Sequence, residues 1–118
     1  MTTRPGPHEA ELIARPGRTP DALRMALAQV APHRLAEMER QKNEAIALSV
    51  ESGSIEPLRG FLAAWAVHVE IARDLGTAAR LRSAEHAAQT LDRDDPLWRE
   101  ATAEIRAIFD EARAAVGG

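Results

Sequence analysis

The chain lacks cysteine and tyrosine altogether and contains a single lysine, Lys42. Without cysteine it has no disulfide, no thiolate metal ligand and no cysteine nucleophile. No apolar run approaches the roughly 18 to 20 residues that cross a bilayer. Prolines and charges interrupt the N-terminus, where a secretory signal needs a continuous apolar segment. We therefore expect a soluble, cytoplasmic protein without a membrane partner.

The formal net charge of −3 argues against general nucleic-acid binding, because such binding depends on neutralising phosphates with lysine and arginine. We expect no nucleic-acid partner. The sequence is instead rich in alanine and leucine, both strong helix formers, with apolar residues at intervals of three and four. No segment alternates with the period of two that is typical of strands. A length of 118 residues suits one domain, so these features predict an all-α, single-domain helical bundle.

The first part of the chain differs in composition from the rest. Residues 1–18 contain three prolines and two glycines, which break regular structure, so we predict a flexible arm that contributes little to the core. Residues 19–118 are predicted to form the helical domain, which cap and stop signals divide into about five helices. The predicted helices begin near Thr19, Pro32, Ser54, Thr77 and Asp95. Gly53 and Gly76 are predicted to end the second and third helices.

The third predicted helix has the most apolar face. When its residues are projected at about 100° each, one stripe of large side chains is predicted to form the core. These core positions are Leu58, Phe61, Leu62, Trp65 and Val69. His68 falls on the flank of the stripe, and Glu70 falls on the opposite, solvent side. Because side chains two apart on a helix do not face each other, His68 and Glu70 cannot share a metal ion, and we interpret His68 as a boundary residue.

No set of side chains completes a metal or catalytic site. His33 and Glu37 share one helix face, but zinc or iron needs at least one further ligand. The serines lack the nucleophile-elbow pattern, and no glycine-rich phosphate loop occurs. We therefore predict no catalytic residue, no cofactor and no metal. An enzyme or small-ligand-binding protein with a pocket near Trp65 and His68 is the alternative.

Lys42 falls near the centre of the apolar stripe of the second predicted helix. The other members of this stripe are Leu35, Met38, Ala45, Ile46 and Val50. The lysine stem can lie on the core while its ammonium reaches water. The alternative is an ion pair with an acidic residue of another helix or of a partner.

The last predicted helix has the most regular amphipathic pattern in the chain. Residues 94–118 hold six acidic and three basic side chains, so this helix is acidic. In one interpretation it closes its own bundle, with Trp98 at least half buried near Trp65. In the other it binds a groove of a partner protein, with Trp98, Ile105 and Phe109 as apolar anchors and Asp110 beside them.

The fourth predicted helix carries a thin stripe of small and apolar side chains. Two copies of a helix can approach closely along such a stripe. The residues of the stripe are Ala78, Leu81, Ala84, Ala88 and Leu91. We therefore expect a homodimer.

Residues 20–75 resemble a group of short, all-helical actinobacterial proteins of unknown function. The matching positions are the Pro57-Leu58 pair, Leu62, Trp65 and Ala72, although members of this group typically carry two adjacent tryptophans where this chain has Trp65-Ala66. The C-terminal segment "PLWREATAEIRAIF" is similar to the toxin-binding tails of small antitoxins that neutralise ribonuclease toxins. This second resemblance implies a helix that docks on a protein partner.

These patterns together predict a non-catalytic helical protein–protein interaction module. Its most concrete form is an antitoxin-like protein that neutralises a partner through the acidic C-terminal helix. The alternatives are a self-assembling, dimeric structural protein and the ligand-binding protein or enzyme considered above.

Overall fold

The computed structural model describes residues 10–117, and most of this range is helical. It contains α1 (Pro20–Val30), α2 (Leu35–Ser52), α3 (Glu56–Ala72), α4 (Leu75–Thr90) and α5 (Pro96–Ala115), with a short 3-10 turn, Pro32–Arg34, between α1 and α2. None of these helices combines the length and the apolar character that a bilayer span requires. No strand occurs between residues 10 and 117, so the predicted all-α class is confirmed.

Local sequence signals set several of the helix ends. Thr19 caps α1, where its hydroxyl accepts a hydrogen bond from the N–H of Ala22 at 3.2 Å. Asp95 starts α5 in the same way by accepting from the N–H of Leu97 at 2.9 Å. α2 ends where Gly53 takes a φ of 71°, a left-handed conformation that glycine adopts without strain. These three ends lie where the sequence predicts them.

The junction between α3 and α4 lies earlier in the chain than predicted. The sequence predicts a stop at Gly76 and a cap at Thr77. In the structure Asp74 is the cap, because its carboxylate accepts a hydrogen bond from the N–H of Thr77 at 3.0 Å, and Gly76 lies in the first turn of α4. Aspartate is at least as good an N-cap as threonine, so α4 begins at Leu75.

The larger hydrophobic core lies between α1, α2 and α3. Trp65 is fully buried at this core, and its indole N–H donates to the side-chain oxygen of Gln41 in α2 at 2.9 Å. A buried tryptophan usually needs such a partner, so this bond helps to fix α3 against α2. The other large buried side chains are Leu23, Leu27, Met38, Phe61 and Val69, and Leu58 and Leu62 are partly buried beside them.

A second, smaller core joins α3 to α5. It consists of Val67 and Ile71 from α3 with Ile108 and Ala112 from α5. α3 is therefore the central helix, and it contacts α1, α2, α4 and α5. The molecule is flat, with extents of 52 × 43 × 25 Å, so the outer helices keep large exposed faces.

The covered face of α2 is narrower than its apolar stripe. Met38 and Ala45 are buried, whereas Ile46 and Val50 are 43% and 79% exposed. Within residues 10–117, α2 packs only against α1, α3 and the 3-10 turn. The predicted stripe of α2 is therefore only partly used, and Ile46 and Val50 do not join the core.

Residues 10–18 form no helix, yet they are attached to the junction of α3 and α4. The N–H of Leu12 donates to the carbonyl of Arg73 at 2.7 Å, and the N–H of Leu75 donates to the carbonyl of Ala10 at 3.0 Å. Ile13 also packs against the larger core. This part of the predicted flexible arm thus contributes contacts to the fold, and residues 1–9 lie outside the described residues.

Candidate functional site

An open apolar groove runs between α4 and α5, which form a helical hairpin. Its volume is about 650 Å³. α4 lines the groove with small residues spaced three and four apart: Gly76, Ala79, Ser83 and Ala87. α5 contributes Leu97, which is 55% exposed. An exposed leucine beside a row of small side chains leaves room for another apolar group.

The groove suits an α-helix in length and in depth. From Gly76 to Ala87 the chain advances by about 16 Å, or three helical turns. Small side chains at the contact allow two helix axes to approach to about 8 Å. Ala84 also lines the groove but is only 7% exposed, so it lies deeper than its neighbours. The larger side chains of Arg80 and Leu91 also line the groove, so close approach of a second helix is limited to the row of small residues.

The rim of the groove carries more carboxylates than arginines. Glu104 pairs with Arg80 at 2.7 Å, whereas Glu100 has no ion-pair partner among the described residues. Asp92 and Asp94 are exposed in the connection between α4 and α5. Arg93 is exposed in the same connection. Glu100 and Glu104 against Arg80 leave a small excess of negative charge among the lining residues.

Trp98 packs on α4. Its indole is partly buried and donates its N–H to the carbonyl of Ala88 at 3.0 Å, while the guanidinium of Arg93 lies 5.9 Å from its ring centroid. We predicted Trp98 near Trp65 of α3. It lies against α4 instead, because α5 pairs with α4 more extensively than with α3.

The other predicted partner-binding residues of α5 are divided between the fold and the surface. Phe109 packs against the smaller core, and Ile105 is partly buried. Asp110 is exposed and pairs with Arg113 at 3.0 Å. The structure therefore does not present these residues as one free apolar face, since α5 closes the bundle.

The stripe of α4 that motivates the predicted homodimer is largely covered within the monomer. Ala84 is buried, Leu81 packs against the smaller core, and Ala88 accepts the hydrogen bond of Trp98. The helix that approaches this stripe is α5 of the same chain. The homodimer stays a prediction, but this stripe no longer supports it.

Glu70 lies in a different environment from the predicted solvent face. Its side chain is only 8% exposed and contacts Arg73 at 2.7 Å and Arg15 at 2.9 Å. Arg73 also pairs with Glu11 at 3.1 Å. Burial raises the pKa of Glu70, but the hydrogen bonds from Arg15 and Arg73 outweigh it and hold this pKa below its usual value. The network fastens residues 10–18 to α3, so its role is structural.

His68 is partly buried beside two aromatic rings. Its centroid lies 4.9 Å from that of Trp65 and 6.0 Å from that of Phe109. Burial and the nearby charge of Arg34 lower the pKa of His68, against the opposing effect of Glu37, so the neutral ring is favoured. Trp65 is fully buried and lines none of the five cavities identified within residues 10–117, whereas His68 lines two of them. The predicted pocket therefore belongs to His68 alone.

His33 and Glu37, which share one face of the predicted helix, lie in different elements of the structure. His33 lies in the 3-10 turn, and Arg34 rather than His33 pairs with Glu37, at 3.2 Å. No group of three or more metal-binding side chains occurs within residues 10–117. Lys42 pairs with Glu39 of its own helix at 2.9 Å. Its ammonium is therefore paired locally rather than across to another helix.

Comparison with known protein families, curated proteins and solved structures gives no match for this chain. The resemblances to the helical actinobacterial group and to antitoxin tails therefore stay predictions. The groove between α4 and α5 was not predicted from the sequence. The signal that could have found it is a second row of small residues on α4, namely Gly76, Ala79, Ser83 and Ala87.

Proposed function

We propose that this protein is a non-catalytic helical interaction module, whose groove between α4 and α5 receives a helix of a basic protein partner. The observation that carries the proposal is the open apolar groove, in which Leu97 is 55% exposed. Apolar surface with a polar rim is typical of protein-binding sites, and a helix in a groove is a recurring mode of recognition.

The partner helix should carry leucine-sized side chains on one face and lysine or arginine on its flanks. Its apolar face would cover Ala79, Ser83 and Leu97. Its basic flanks would meet Glu100 and Glu104, the two carboxylates that line the groove. Because such charges mainly accelerate association and are screened by salt, binding should weaken as the ionic strength rises.

More specifically, we propose that the protein is antitoxin-like and that its basic partner is an enzyme, which it neutralises. The acidic helix α5 would act here as one wall of the groove while it stays docked on α4. Its release would expose Ile108, which is 0% exposed, and Ala112 to water, at a cost in hydrophobic free energy. In this form the catalytic activity of the partner should fall when the complex forms.

A pair of arginine substitutions tests whether the groove is the binding surface. Ser83→Arg places a long cation in the groove, whereas Ala47→Arg adds the same side chain on the exposed side of α2. Both positions are exposed, so both variants should melt like the parent protein. A basic protein should co-purify with the parent and with Ala47→Arg, but not with Ser83→Arg. Retention of that protein by Ser83→Arg would contradict the proposal.

Two synthetic helical peptides test the chemistry of the partner directly. Both carry the same leucine face, and their flanks are lysine in one and glutamate in the other. The lysine peptide should bind the parent protein, and Ser83→Arg should weaken this binding by about tenfold or more, as for a central interface position. Equal binding of the two peptides, or binding of neither, would count against a basic helix as the occupant.

The alternative, a self-assembling structural protein, gives a different result in the same variants. Light scattering would then report the mass of two chains for the parent protein. Loss of that dimer in Ser83→Arg would identify a second copy, rather than a basic partner, as the occupant of the groove.

A further inference from the structure

A separate cavity lies between the N-terminal segment, the 3-10 turn, α3 and α4. Its volume is about 260 Å³. Its walls are mostly apolar and include Val30, Ile71, Ala78 and Leu81, with the exposed side chains of Leu12 and Leu75 on its open side. It shares no lining residue with the groove between α4 and α5. It is therefore a second candidate site.

The charged and titratable side chains that line this cavity are all basic: His33, Arg34, His68 and Arg82. Arg34 is paired with Glu37 at 3.2 Å. Arg82 has no ion-pair partner within residues 10–117. The lining thus supplies hydrogen-bond donors and one unpaired positive charge, but no carboxylate.

His68 provides a further polar group that the fold leaves unused. The ring is held beside Trp65 and Phe109, while its two nitrogens have no hydrogen-bond partner in the described part of the chain. Partly buried polar groups are usually hydrogen-bonded. Neither nitrogen is among the buried side-chain atoms that lack a partner, so water can reach the ring, and an acceptor atom of a ligand would take the place of that water.

We propose that this cavity binds a small monocarboxylate with an apolar body. The aliphatic walls suit a hydrocarbon body, and the side chains of Arg82 and His68 suit a carboxylate, which accepts charge-assisted hydrogen bonds. The volume of 260 Å³ admits about nine non-hydrogen atoms, if each takes roughly the 30 Å³ of a liquid water. Benzoate and octanoate have about this size.

Paired ligands test the requirement for a carboxylate. Benzoate and octanoate are titrated into the full-length protein beside their neutral counterparts, benzamide and octanol, with calorimetry and backbone-amide chemical shifts as readouts. The carboxylates should shift the amides of Ala31, Ile71 and Ala78. They should also bind about tenfold more tightly than the neutral compounds, since hydrogen bonds to charged groups are the stronger ones. Equal affinity for benzoate and benzamide would overturn the proposal, as would the absence of any shift at millimolar carboxylate.

Two substitutions locate the carboxylate. Arg82→Gln should weaken benzoate binding by about tenfold, whereas Arg59→Gln, on the exposed start of α3, should leave it unchanged. His68→Phe keeps an aromatic ring beside Trp65 and Phe109 but removes both nitrogens, so it should weaken the binding of benzoate more than that of benzamide. Unchanged benzoate affinity in Arg82→Gln would place the ligand elsewhere. The groove variant Ser83→Arg should bind benzoate normally, so each proposal can fail without the other.

Discussion

At the scale of single residues, Glu70 helps to attach residues 10–18 to α3 through its ion pair with Arg15, in addition to the backbone hydrogen bonds of this segment. We predict that Glu70→Gln destabilises the protein by about 3 kcal/mol, the lower end of the range for breaking a buried ion pair. The value is at the lower end because the side chain of Arg15 is 48% exposed and Arg73 keeps its contact with Glu11. Urea unfolding at pH 7 measures this change in the free energy of unfolding.

Glu56→Gln is the matched control for Glu70→Gln. Glu56 pairs with Arg59 at 2.9 Å, but both side chains are largely exposed, and such pairs contribute little. Similar urea midpoints for the two variants would contradict the structural role of Glu70.

The pKa of Glu70 is held below its usual value. Its contribution to the free energy of unfolding is therefore present above about pH 4.5 and is lost as the pH falls through the folded pKa.

His68 gives a second pH-dependent prediction, which has the same sign as that for Glu70 but applies at higher pH. Its folded pKa lies below the usual 6.5, because burial and Arg34 disfavour the charged ring and Glu37 only partly compensates. Arg82 and Arg113, which line the two cavities that His68 lines, are also positive. Below about pH 6.5 the unfolded chain therefore binds a proton that the folded protein does not. The free energy of unfolding should fall as the pH is lowered from 7.5 to 5.5.

Two histidine variants test this assignment in urea unfolding at both pH values. His68→Gln should show a smaller loss of stability between pH 7.5 and pH 5.5 than the parent protein, because it removes the group whose neutral form the fold favours. His86→Gln changes an exposed histidine of α4 and should behave like the parent. A parent-like pH dependence in His68→Gln would assign the effect to another group.

At the scale of helices, the sequence predicts where a helix ends better than it predicts which face of the helix is buried. A cap acts within three residues, so Thr19 and Asp95 can be read directly from the chain. At the α3–α4 junction both Asp74 and Thr77 can cap a helix, and the sequence does not show which of them is used. The choice of Asp74 coincides with the hydrogen bond between Leu75 and Ala10, which the local sequence does not reveal.

The buried face of a helix depends on how many neighbours it has. α3 buries Phe61, Trp65 and Val69 along its predicted stripe, but it also buries Glu70 because Arg15, 55 positions earlier in the chain, reaches it. Helix projection treats one helix at a time, so it cannot anticipate that partner. The candidate sites are harder still to predict, since one requires the pairing of α4 with α5 and the other requires the docking of residues 10–18.

At the scale of the whole molecule, the two hydrophobic cores should differ in their dependence on α5. The larger core is built by α1, α2 and α3, whereas the smaller one consists of Val67 and Ile71 with Ile108 and Ala112 of α5. Truncation after Leu91 removes half of the smaller core and uncovers Ala84. The single substitution Ile108→Ala in the full chain should lower the free energy of unfolding by about 3 kcal/mol, as for other fully buried aliphatic residues.

We predict that the truncated chain melts well below the intact protein but keeps its larger core at low temperature. The chain has two tryptophans, and truncation removes Trp98, so fluorescence then reports on Trp65 alone. The full-length variant Trp98→Phe is the matched control, because it carries the same single fluorophore with α5 in place. Trp65 should emit as a buried indole in both proteins at low temperature and become exposed at a lower temperature in the truncated one. Coincident melting curves would show that α5 adds nothing to the stability of the fold, and would restore α5 as a helix that is free to bind a partner.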